Sequence, residues 1–413
     1  MAQRIGSSLW TRSLLALTRV AVKVATQATR SAVRQALKPA LKPTLKSVLA
    51  LTPKKLTKRP ASRLKPTLPP RSSAPASTAS NFPLSAAKSA PGITPRITPR
   101  STRGALDGKQ HLITSGVAMC ASGARRYRLY SPPGASLLTR LPLLVMLHGC
   151  GQDATSFERC TRISRLAARV GFYVLWPEQD RMANAQGCWN WFDTRSRRAY
   201  SEAASVIAAI DQVCTLYGAD ANRVAVAGLS AGASLAGLLA TRYPERFKAV
   251  AMHSGIAPGT AQSTATALAA MQGRRNAEPL PLTLAGQPGL PPLLVIHGSV
   301  DPLVRPATGR AAVQLWANAA GATAAAPRTV QRGKRYAFTV TDFKRRSRIV
   351  ASLCEVNGLG HAWSGGLADQ PYSDAKGPDA TRLIWAFAAR QFRTADAATQ
   401  RQHAPPLQQC KYG

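Results

Sequence analysis

The chain has 413 residues, 45% hydrophobic and 18% charged, enough apolar material for a globular core. Residues 1–106 hold 20 of the 55 Lys and Arg and none of the 18 Asp and Glu, so that segment is +20 and residues 107–413 carry the other +17. With twelve of the 30 prolines also before residue 107, the split excludes one well-mixed domain, and the lack of an 18-residue uncharged apolar run argues against a transmembrane helix.

The first predicted element is an amphipathic helix over residues 9–37. Arg12, Arg19, Lys23, Arg30 and Arg34 are spaced 7, 4, 7 and 4 apart and fall within a stripe of roughly 60°. Trp10, Leu14, Leu17 and Val24 lie opposite. Such a helix suits an anionic membrane or the lipid-coated surface of a hydrophobic polymer granule; a targeting presequence, or a helix that does not form alone, are the alternatives. An export signal is disfavoured because Arg19 and Lys23 interrupt the apolar stretch begun at Leu14–Leu17. Residues 38–106 repeat Leu-Lys-Pro and Ile-Thr-Pro-Arg units, a density of proline expected to keep them disordered and solvated. A polycation of this kind binds nucleic acid only non-specifically, and with Phe82 as its lone aromatic it offers no stacking platform.

From Arg125 onward, apolar runs alternate with helical patterns. Strands are predicted at 141–147, 173–176, 224–227, 249–252 and 293–296, and helices near 156–170, 202–217, 233–242, 307–317 and 379–392. A late strand pair is expected at 336–343 and 348–356, then a polar tail from 394 to 413. The expected fold class is α/β, a mostly parallel sheet covered by helices on both faces over residues 107–393. Active sites in such sheets lie at the carboxyl ends of the strands.

One of those ends carries Gly228-Leu229-Ser230-Ala231-Gly232, between a strand and a helix of small residues. That context makes it a nucleophile elbow rather than a chance pentapeptide. A serine hydroxyl needs a base. Of six histidines, His361 is chosen because its glycine-rich loop, Asn357 to Trp363, follows the last strand. His148 and His297 precede glycines at strand ends and read as loop-stabilising, His253 as internally packed, and His111 and His403 as solvated. Asp301 is the expected orienting acid, with Asp342, Asp369, Asp374 and Asp379 as alternatives. The order Ser230, Asp301, His361 is that of the α/β-hydrolase fold. For the oxyanion, Ala231 supplies one N–H and the loop His148-Gly149-Cys150-Gly151 the other, assigned to Cys150 with Gly149 as neighbour. No metal or organic cofactor is called for. Seven cysteines are too few for a disulfide scaffold, and an odd number leaves at least one without an intrachain partner.

Five motifs in order then carry a resemblance. Leu147-His148-Gly149-Cys150-Gly151-Gln152, Trp176-Pro177-Glu178-Gln179, Cys188-Trp189-Asn190-Trp191-Phe192, the serine pentapeptide and Gly360-His361-Ala362-Trp363-Ser364-Gly365-Gly366 resemble the poly(3-hydroxybutyrate) depolymerase family of esterases, type 1 catalytic domain. That group is related to feruloyl and acetylxylan esterases, and the resemblance spans about Arg125 to Phe392. It implies Ser230, Asp301 and His361 in the triad positions and Cys150 with Ala231 in the oxyanion positions. It also implies a Cys150–Cys188 disulfide beside the site, where two buried thiols are the alternative. Trp189, Trp191 and Trp363 would line an apolar groove, unless they are ordinary core. The expected activity is hydrolysis of short-chain polyhydroxyalkanoate or its oligomers. A carbohydrate esterase is the rival, and a non-catalytic protein of granule or membrane surfaces the rival from another class. Secreted relatives imply an extracellular location, with an intracellular, granule-associated one as the alternative.

Overall fold

A computed structural model describes residues 112–280 and 289–403, with side chains as far as residue 396. The helix expected at 9–37, the proline-rich stretch 38–106, His111 and the last ten residues lie outside the described residues. The described part opens with a hairpin, β1 (Leu112–Cys120) and β2 (Gly123–Ser131), turned by Ala121 and Ser122. Then follow β3 (Leu141–Leu147), α1 (Ala154–Thr161), α2 (Ile163–Val170), β4 (Tyr173–Pro177), α3 (Arg198–Tyr217), β5 (Ala219–Leu229), α4 (Ala231–Arg242) and β6 (Ala249–His253). After α5 (Thr264–Met271) come β7 (Leu293–Gly298), α6 (Pro306–Ala320), β8 (Thr323–Ala324), β9 (Arg328–Val330), β10 (Phe338–Arg345), β11 (Arg348–Val356), β12 (Trp363–Ser364), β13 (Ser373–Asp374) and α7 (Ala380–His403).

The main sheet runs β1-β2-β4-β3-β5-β6-β7-β11-β10-β8, with β9 also on β10. Its six central strands, β4 to β11 in that order, are parallel. Both flanks are antiparallel. The parallel character expected from strand–helix alternation thus holds for the centre, and the flanks are hairpins, which need no crossover.

Burial on both faces follows from the two-residue period of a strand. Along β3, Leu143, Val145 and Leu147 enter one core with α3, α4 and α6, while Leu144 and Met146 enter the other with α1, α2 and α7. Each such side chain contributes roughly 1.5–3 kcal/mol on leaving water. Helix α4 is buried from Ala231 to Ala240, and its alanines and glycines let it lie close to the sheet.

Two expectations need correction. The helix expected at 156–170 is two helices, because Arg162 takes a left-handed conformation (φ 54°) between them and its guanidinium reaches the Gly365 carbonyl, Nη2–O 2.7 Å. The polar tail expected from residue 394 begins inside α7, which continues to His403. Thr394-Ala-Asp-Ala-Ala carries no glycine or proline to stop it. The hairpin β1–β2 and helix α5 are elements that apolar periodicity did not reveal.

Candidate active site

Strand β5 delivers the chain into Ser230 at φ 55° and ψ −119°, and α4 starts at the next residue. A positive φ in so sparsely populated a region, on a residue with a Cβ, costs of order 1–3 kcal/mol and persists only where neighbours impose it. Here Ser230 N–H donates to the His253 carbonyl (2.9 Å), and the Ser230 carbonyl accepts from Ser234 N–H (3.0 Å). A Cβ on Gly228 would strike the Gly232 carbonyl, and one on Gly232 would strike the carbonyl oxygens of Leu147 and His148. The two glycines therefore let β3, β5 and the start of α4 meet backbone to backbone beneath the serine.

Ser230 Oγ lies 3.0 Å from His361 Nε2, and His361 Nδ1 lies 2.8 Å from Asp301 Oδ2. The three residues come from the ends of β5, β7 and β11, 131 and 60 positions apart, and the loops that bear the last two are stitched together. Val300 N–H donates to the Leu359 carbonyl, Ser299 N–H to that of Val356, and Gly358 N–H to Ser299 Oγ. Gly298 has no side chain where the Leu359 carbonyl crosses it. Asp301 is held at its other oxygen: Oδ1 accepts from Leu303 N–H and Val304 N–H, both 2.9 Å, leaving Oδ2 for the imidazole. Burial by itself would push the Asp301 carboxyl up; hydrogen bonds from His297 and His361 outweigh it and hold the group well below the usual carboxylate range. Asp342, an alternative acid, instead bonds Arg328 on β9 and Ser352 on β11.

The oxyanion loop is as tightly determined. Gly149 N–H donates to Gln152 Oε1 (2.9 Å) and Gly151 N–H to the Gln186 carbonyl (2.9 Å). Of these three amides, that leaves Cys150 N–H without an acceptor among the described residues. Ala231 N–H, first in its helix, has no intrahelical acceptor either. His148 acts on the same loop. Gln179 N–H donates to its Nε2 (3.1 Å), so the proton sits on Nδ1, which donates to the Gly149 carbonyl (2.9 Å). Burial lowers the His148 pKa to about 4, which keeps the ring neutral at pH 7. Because C=O and N–H of one planar peptide point opposite ways, holding the Gly149 carbonyl also aims the Cys150 N–H. Cys150 and Cys188 are joined in a disulfide.

Under the 188–192 segment lies a buried polar network that sequence reasoning missed. Arg125 donates to Ser205 Oγ, the Glu178 carbonyl and Gln179 Oε1. Gln179 Nε2 passes the connection to Glu202 Oε1 (2.6 Å), and Glu202 also accepts from the Asn190 backbone and side-chain amides. The sequence signal was a charged residue in the middle of an apolar helical face, Glu202 in α3. His297 also gains a contact: its Nε2 bonds the Val304 carbonyl (2.8 Å) and stands 3.5 Å from Asp301 Oδ2.

The tryptophan groove is corrected. Trp189 and Trp363 are fully buried. Trp189 donates Nε1–H to the His148 carbonyl (3.0 Å), and Trp363 stacks on His253 and donates to Thr381 Oγ1. Each ring has its polar tip satisfied inside, so both brace the site from below. Trp191 keeps 8% of its surface exposed and meets Phe192 edge-on. His253 is buried, its pKa lowered to about 3 by burial first and by His297 and His361 next, and its Nε2 accepts from Ser364 N–H.

A serine–histidine–aspartate series at the carboxyl rim of a six-strand parallel centre, with helices on both faces, defines an α/β-hydrolase. The acetyl xylan esterase of Aspergillus awamori shares this fold, with a TM-score of 0.50 at 19% identity over 60% of this chain and 94% of that one. The family model described as esterase PHB depolymerase matches residues 125–329, just under half of the chain. Feruloyl esterase B of Neurospora crassa is 28% identical over 272 residues, 60% of this chain and 91% of that protein. Poly(3-hydroxyalkanoate) depolymerase C of Paucimonas lemoignei is 33% identical over 185 residues, 43% of this chain and 44% of that protein, so the match spans under half of that relative. The chain is accordingly a hydrolase of carboxylic ester bonds.

Proposed function

We propose that the chain cleaves short-chain hydroxyalkanoate esters, poly(3-hydroxybutyrate) or its oligomers, through an acyl-enzyme on Ser230. The observation that carries the reading is the unbroken hydrogen-bonded series from Ser230 Oγ through His361 to Asp301. Ser230 Oγ attacks the ester carbonyl while His361 Nε2 takes its proton, and Asp301 steadies the imidazolium. The tetrahedral oxyanion is met by Cys150 and Ala231 N–H. Collapse releases the hydroxyl end of the next 3-hydroxyacyl unit, which takes the proton from His361, and water repeats the sequence on the acyl-enzyme.

The substrate half of the reading is supported by the family match and the likeness to the depolymerase. A second reading, a carbohydrate esterase of feruloyl or acetylxylan type, is favoured by the 91% coverage of feruloyl esterase B. Release of 3-hydroxybutyrate from oligomers, measured beside release of ferulate and acetate from xylan esters, decides between them. The proposal expects 3-hydroxybutyrate to be released fastest; faster ferulate or acetate release would hand the chain to the second reading. In either case Ser230→Ala should lose on the order of 10⁴-fold or more in kcat on p-nitrophenyl butyrate.

A further inference from the structure

A cavity of about 550 Å³ opens between α1–α2, the approach to β10 and the start of α7. None of its lining residues belongs to the candidate active site. Six of them are arginines: Arg162, Arg165, Arg169, Arg332, Arg335 and Arg382. Asp379 is the one carboxylate in the lining, and it is already engaged, accepting from Arg382 N–H (3.0 Å) and pairing with Arg382 Nε (3.4 Å). Arg162 and Arg335 are tied to backbone carbonyls, of Gly365 and Gly377, which hold the forks in place without neutralising them. The guanidinium groups of Arg165, Arg169 and Arg332 have no hydrogen bond or ion pair among the described residues.

Like charges gathered around one concavity repel one another, and the arrangement is stabilised when a multivalent anion enters. Guanidinium forks match phosphate oxygens two at a time, and a single monovalent anion would leave most of the charge uncompensated. The volume is that of a small-molecule site, too small for a duplex or a membrane surface. Leu166, Phe338 and Leu383 supply apolar wall beside the charges.

We propose that this cavity binds a small molecule bearing a chain of two or more phosphate groups, free or attached to an organic body. The charge count sets the valency, the forks select phosphate, and the volume sets the size.

The test is calorimetric titration of the full chain with tripolyphosphate, ATP and citrate, and with a DNA duplex of about 20 base pairs, in about 0.15 M salt. Arg165→Ala/Arg332→Ala is compared with a control of equal charge, Arg126→Ala/Arg195→Ala, both sites exposed and outside the cavity. Unchanged ester hydrolysis in both variants shows that they are folded. The proposal expects saturable one-to-one binding of tripolyphosphate, ATP or both, weakened roughly tenfold or more by the cavity pair and less than about twofold by the control. Equal binding of tripolyphosphate and ATP assigns the phosphate chain alone, and tighter ATP adds a role for the apolar wall. Equal losses in the two variants would overturn it, since general charge would then explain the binding. Citrate binding as tightly as tripolyphosphate, or a tenfold loss confined to the duplex, would overturn it as well.

Discussion

Asp301 shows how one side chain is committed twice. Its Oδ1 closes a turn on the amides of Leu303 and Val304, and its Oδ2 faces His361. Asn in its place can keep the first pair of bonds through its carbonyl oxygen, but its NH₂ then meets His361 Nδ1 and forces the proton to the wrong nitrogen. Asp301→Asn is therefore expected to melt close to the parent while kcat falls on the order of 10³–10⁴-fold, with KM little changed. Steady-state kinetics beside a thermal melt checks this, and a variant of near-parental kcat would show that Asp301 does not orient the base.

At the scale of elements, the site is a junction of backbones. Gly232 is where α4 touches the end of β3, and the atoms a Cβ would strike are carbonyl oxygens of Leu147 and His148, which cannot rotate away. Gly232→Ala must push α4 off the strand and move Ala231 N–H with it. A loss of about 1–3 kcal/mol or more in stability, with a fall in kcat, is expected from denaturant unfolding and kinetics; an unaffected variant would show that the close approach is not needed. This junction was legible in the sequence, because a strand, a glycine-flanked serine and a run of small residues stand consecutively. The central strands were legible for a related reason: buried on both faces, they read as unbroken apolar runs. The hairpin β1–β2 was not, since its exposed residues, such as Val117, Met119 and Arg126, interleave with buried ones and two-residue turns leave little signal. Nor was the burial of Trp189 and Trp363, because a tryptophan beside a site motif looks the same in sequence whether it faces substrate or braces the loop from beneath. The division of Cys150 from Gly149 as oxyanion donor needed the Gln152 side chain, whose reach back to Gly149 N–H is a matter of loop geometry.

Over the whole body, burial keeps His148 and His253 neutral. Their pKa values in the folded protein, about 4 for His148 and about 3 for His253, lie below the ordinary value because burial disfavours the charged ring. The neutral form is the one folding favours, so this stabilisation is complete above about pH 6.5. It is lost as the pH falls from there toward 4 and 3, where the unfolded chain takes up protons that the native one refuses. Each contributes a few kcal/mol. The denaturation midpoint should accordingly be flat above neutrality and drop steeply between about pH 6.5 and 4; a midpoint unchanged across that range would contradict the burial of these rings. The same body gathers its catalytic candidates at one rim of the sheet from segments far apart in the chain, and everything proposed about ester cleavage depends on the hydroxyl at the turn between β5 and α4. Mass spectrometry of the protein after reaction with an alkyl fluorophosphonate tests that dependence most directly. One adduct is expected, on the peptide containing Ser230, formed in step with loss of esterase activity; full loss of activity with the adduct on a different residue would rule Ser230 out as the nucleophile.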